Sequence, residues 1–136
     1  MKKGILWIVL GLAFCPTAWA RSPYLAQMQH WGEAMSRLQT AMFINDFKGM
    51  AEASWAINRA PEVDKDSLAR LEKALDSKEY RDLRRFERYL RETSENMAKK
   101  AGEKDIRGVL VEQGKVVAAC VQCHDLFQVK ILMTLK

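Results

Sequence analysis

Histidine and cysteine are scarce here: two histidines and three cysteines in 136 residues. Cys15 lies in an apolar N-terminal leader, so beyond it only Cys120 and Cys123 remain, and no disulfide framework can be drawn. Beyond residue 20 the only prolines are Pro23 and Pro61, so little breaks a long helix. No Val/Ile/Thr-rich alternating stretch occurs there either, which leaves no material for a sheet. Internal repeats and low-complexity tracts are absent, and nothing marks a second domain.

The few metal-binding side chains are concentrated in one place, Cys120-Val121-Gln122-Cys123-His124. C-x-x-C-H is the attachment sequence of a c-type haem, in which two thiols add across the porphyrin vinyl groups and the adjacent imidazole ligates the iron. On a helix, positions i, i+3 and i+4 share a face, so all three side chains would point into one groove. Three other readings use the same residues. A thioredoxin-like redox pair wants a helix N-terminus after a strand, whereas this motif closes a long helical pattern. A zinc site needs four ligands and would have to recruit His30, with Cys123 and His124 diverging by about 100° on the helix. A Cys120–Cys123 disulfide leaves the histidine without a role.

Residues 1–20 read as a signal peptide. Lys2 and Lys3 form the positive start, Gly4 to Cys15 an apolar run too short to span a bilayer, and Ala18-Trp19-Ala20 a small-x-small cleavage site. A lipoprotein site at Cys15 is disfavoured by bulky Phe14. Residues 21–136 then form one domain. Losing Lys2 and Lys3 takes the formal charge from +5 to +3, and in an exported protein that balance argues little for nucleic acid. No membrane span is expected in the mature chain.

Apolar spacing beyond the leader is helical throughout. Helix A begins at Ser22-Pro23 and carries Tyr24, Met28, Trp31, Met35, Leu38 and Met42 on one stripe. Asn45-Asp46 forms a turn, and helix B presents Phe47, Met50, Ser54 and Ile57 before Pro61. A polar connection over 62–77 holds a short helical patch. Helix C starts at a Ser77 cap, buries Tyr80, Leu83, Phe86, Leu90, Thr93 and Met97, and ends at Gly102. Asp105 caps helix D, whose stripe Ile106, Val109, Gln113, Val116, Cys120, Cys123, Phe127 places both cysteines on the core face. The expected fold is all-α, an antiparallel four-helix bundle with covalently bound haem. The arginines of helix C (Arg81, Arg84, Arg85, Arg88, Arg91), interleaved with Asp82, Glu87 and Glu92, read as a solvated face with i,i+4 pairing.

The C-terminal motif Cys120-Val121-Gln122-Cys123-His124-Asp125-Leu126-Phe127, the Met-rich first helix and Asn45-Asp46 resemble the class II c-type cytochromes, the cytochrome c prime family. That resemblance implies a periplasmic protein carrying one haem c per chain, bound by Cys120, Cys123 and His124, with Phe127 a pocket wall. The chain departs from the family at Gln128, where many members have Arg or Lys near a propionate; Lys130 or a basic residue of helix A would have to serve. One family type adds a first-helix methionine as sixth ligand and carries electrons; the other leaves that position open and binds nitric oxide or carbon monoxide. Bundle register favours Met28 as the second metal ligand over Met35, about 10 Å further along at 1.5 Å per residue. The expectation is a one-electron carrier, not an enzyme, with redox proteins as partners and a homodimer as the family's common state. His30 lies about 200° around the helix from Met28 and reads as a surface residue.

Overall fold

A computed structural model describes residues 22–135. The signal peptide expected over 1–20 lies outside the described residues. Five helices follow one another, α1 (Pro23–Phe43), α2 (Phe47–Asn58), α3 (Lys65–Ala74), α4 (Ser77–Gly102) and α5 (Ile106–Thr134), and no strand occurs among the described residues. The fold is all-α.

Helix starts are set by aspartates. The carboxylates of Asp46, Asp64, Asp76 and Asp105 accept from the backbone N–H of Gly49, Ser67, Glu79 and Gly108 at 3.0, 2.9, 2.8 and 2.9 Å, each satisfying a donor that the helix itself cannot. At Gly49 and Gly108 a Cβ would collide with the capping carboxylate, so glycine at the third helical position lets the cap close. For α4 the cap is Asp76, not Ser77: Glu79 reaches back to the Asp76 N–H at 3.2 Å and completes a capping box. Ser22 makes no side-chain cap bond, and Pro23 alone sets the first turn of α1. Gly102 stays helical, and the left-handed residue that turns the chain into α5 is Lys104 at φ 58°.

Side-chain bonds give the packing register. Gln27 Nε2 donates to the Pro61 carbonyl at 2.7 Å, Trp31 Nε1 to that of Ile57 at 3.0 Å, and His30 Nε2 lies 3.0 Å from that of Ala56. Later residues of α1 meet earlier residues of α2, so the two run antiparallel. Between α4 and α5, Glu79 pairs with Lys130, and Phe86 meets Phe127 edge-to-face with centroids 6.3 Å apart, again antiparallel. Asn58 and Arg91 bond reciprocally through side chain and carbonyl, tying α2 to α4. Thus α1 packs on α2, α2 on α4, and α4 on α5, whereas α1 and α5 make at most marginal backbone contact. Side chains of the two apolar clusters, and not close backbone approach, bridge α1 and α5.

Two apolar clusters fill the interior. The first, around Trp31, Leu38, Met50, Ile57, Met97, Val109 and Val116, lies toward the α1–α2 turn. The second, around Tyr24, Leu71, Leu83, Phe127 and Ile131, lies toward the other end, with α3 as its lid. On α1 the buried stripe is Tyr24, Gln27, Trp31, Ala34, Leu38 and Ala41. Met28, Met35 and Met42, expected on the stripe, flank it half-buried, while Gln27 is drawn inward by its bond to the Pro61 carbonyl.

Candidate functional site

Where the two clusters meet, α1, α4 and α5 enclose a cavity of about 30 Å³ lined by Tyr24, Met28, Trp31, Glu87, Leu90, Ala119, Cys120, Cys123 and His124. Heptad spacing on α1 puts Tyr24, Met28 and Trp31 on this side, and the i, i+3, i+4 spacing of the motif does the same on α5. Both cysteines are half-buried free thiols. His124 sits at the exposed edge. Met28 belongs to the margin of both clusters, while Met35 borders only the first and does not line the cavity.

Phe127 is buried in the second cluster, against Phe86 and beside Cys123, rather than on the cavity wall. His30 is half-buried against the carbonyl of Ala56 on α2, so the surface reading is corrected. That orientation also removes the fourth ligand a zinc site would need, and no group of three or more His, Cys, Asp or Glu able to hold a metal occurs among the described residues. Lys130 is engaged by Glu79.

Helical spacing missed a polar network at the cavity. Glu87, read as a member of the solvated face of α4, is only 8% exposed. One carboxylate oxygen accepts from the Tyr24 hydroxyl, and the other pairs with Arg84. These partners make burial of the carboxylate tolerable. Loss of solvent raises the Glu87 carboxyl above its ordinary range, with Tyr24 and Arg84 opposing that rise. Burial first, then the charge of Glu87, drives the Tyr24 phenol well above its usual value. A glutamate that pairs both with a tyrosine 63 residues away and with an arginine three positions back carries no periodic signature, so only the assembled fold reveals it.

The thiols are raised in the same way. Burial lifts Cys120, and burial followed by the Glu87 charge pushes Cys123 up to about 12. Thiol–disulfide exchange proceeds through the thiolate, which burial disfavours at both positions.

The donor set fits a c-type haem: paired thiols on one helical face, an imidazole beside them, apolar walls from Trp31, Leu90 and Ala119, and a thioether opposite. The cavity as it stands is about water-sized. Accommodating a macrocycle would require α1 and α5 to separate, on the one side of the array where their backbones do not already interlock. Comparisons with protein-family models, with curated proteins and with solved structures find no match.

Proposed function

We propose that this chain is a periplasmic c-type haem protein of the cytochrome c prime kind, a one-electron carrier built as an antiparallel four-helix bundle from α1, α2, α4 and α5, with α3 a crossing element. Cys120 and Cys123 would hold the porphyrin as thioethers and His124 would ligate the iron. The observation that carries the reading is the convergence of these three residues of α5 with Met28 of α1 on one cavity. Met28 would supply a second ligand to the iron, and a thioether there would favour reduced iron and a low-spin carrier. Phe127 and Phe86 support the α5 segment from the second cluster.

The bound group supplies reversible one-electron chemistry; the protein's part is to hold it, exclude water and set its second ligand. An optical and EPR spectrum of the exported protein, repeated on Met28→Ala, tests this. A low-spin parent that becomes high-spin and carbon-monoxide-binding on substitution supports the carrier. A parent already high-spin and open to carbon monoxide moves the function to gas binding.

A further inference from the structure

α5 buries little of its own apolar surface. It is long and apolar enough to cross a membrane by length and composition, yet most of that stretch faces outward. Leu110, Val117, Val121 and Leu132 fall on one line along the helix, with Val111 and Val129 beside it. These six side chains are 44% to 64% exposed. The row is about 33 Å long at 1.5 Å per residue, and only Asp125 and Gln128 interrupt it, between Val121 and Leu132. It lies on the far side of α5 from Cys120 and Cys123, so its role is independent of the haem. A continuous apolar patch of this size marks an interaction site.

Two observations point to its occupant. The chain outside the described residues, 1–21, carries the apolar run of residues 4–15 and enters the fold at Ser22, beside Tyr24, which packs in the second cluster with Phe127 and Ile131 of α5. While that run is inserted for the export expected of this chain, the C-terminal end of the α5 face is held at the same bilayer. The flank of the face toward α4 is a groove lined by Arg85, Tyr89 and Lys115. Long cationic stems and a phenol are the side chains that reach from an apolar surface to the level of lipid headgroups. The inner side of α5 is committed to α4 and to both clusters, so the helix as folded cannot span a bilayer. It can lie on one.

We infer that the outer face of α5 docks on a lipid bilayer, the row from Leu110 to Leu132 set among the acyl chains and Arg85, Tyr89 and Lys115 at the headgroups. Apolar area drives the contact. Arg85 and Lys115 are already paired with Asp82 and Glu112, which leaves little net charge on the flank to steer the face toward an anionic surface.

Flotation of the exported protein with phosphatidylcholine vesicles tests the inference, with circular dichroism to show that each variant stays helical. The wild type should float with the vesicles at low and high salt alike. Val121→Glu and Leu132→Glu, each placing a charge in the row, should weaken partitioning about tenfold, and the double variant should stay in solution. Phe43→Glu, at a more exposed site off this face, should bind as the wild type does. A wild type that stays in solution beside the vesicles, whether monomer or dimer by sedimentation velocity, overturns the proposal. So does binding that high salt abolishes, or binding that Val121→Glu and Leu132→Glu leave unchanged, which would place the lipid contact elsewhere on the chain.

Discussion

The two apolar clusters are built by different rules. The first is closed by its own side chains: Leu38, Met50, Ile57, Met97, Val109 and Val116 are fully buried, and its buried hydroxyl, Ser54, bonds to the Met50 carbonyl one turn back at 2.7 Å. The second contains a buried phenol, Tyr24, bonded to the buried Glu87 carboxylate, and the cavity that holds the two thiols lies between it and the first, whose Trp31 and Leu90 also line it. A protein interior normally leaves neither voids nor unnecessary charges. Their occurrence together at the junction of the clusters, between α1, α4 and α5, separates the closed interior of the first cluster from the region that could build a site.

The sharpest test of that division is truncation in each half of the colourless chain. Leu38→Ala removes a fully buried side chain from the closed cluster and should cost about 3 kcal/mol in urea unfolding. Met28→Ala, half-buried beside an existing cavity, should cost clearly less. Equal losses would erase the distinction between the clusters. Tyr24→Phe comes next: it deprives the buried Glu87 carboxylate of a donor and should cost about 1–3 kcal/mol at neutral pH.

Glu87→Gln sharpens the comparison through pH. Because the folded carboxyl titrates above its ordinary value, burial favours the protonated form. That stabilising contribution is fully present below the unfolded-state value of 4.5 and is lost as pH rises through the raised folded value. The stability of wild type relative to Glu87→Gln should therefore fall as pH rises above about 4.5. A flat difference would mean that Arg84 and Tyr24 fully offset the burial. The smallest effect belongs to the thiols. Replacing both Cys120 and Cys123 by Ala in the colourless chain should change stability by about 1 kcal/mol or less, since they line a cavity rather than fill a core.

Much of the fold was legible because the signals were local. Pro23, the Asn45-Asp46 turn and Asp105 mark helix ends through backbone chemistry that holds in any context, and all three stand where spacing placed them. The α4 start was one residue off, since Ser77 and Asp76 are both good caps and only the reach of Glu79 decides between them. On α1, the methionines drew the stripe toward Met28, Met35 and Met42. The observed one runs through Gln27, Ala34 and Ala41, because Gln27 is drawn inward by its bond to the Pro61 carbonyl and the two alanines fit against α2 where larger side chains would not. At the site, the convergence of Cys120, Cys123 and His124 follows from spacing on one helix, and the arrival of Met28 followed from antiparallel register. Glu87 was not legible: its burial depends on a hydroxyl from α1 and an arginine on its own helix meeting it at once.

The central claim is that Cys120 and Cys123 carry haem covalently. Acid-acetone extraction of the exported protein, followed by a pyridine haemochrome spectrum of the precipitated chain, addresses it directly. One haem per chain should survive extraction in wild type, and none should survive when both cysteines are replaced by Ala. A wild-type chain from a host with working c-type haem assembly that is colourless, or that gives up all its pigment to the solvent, would contradict the account.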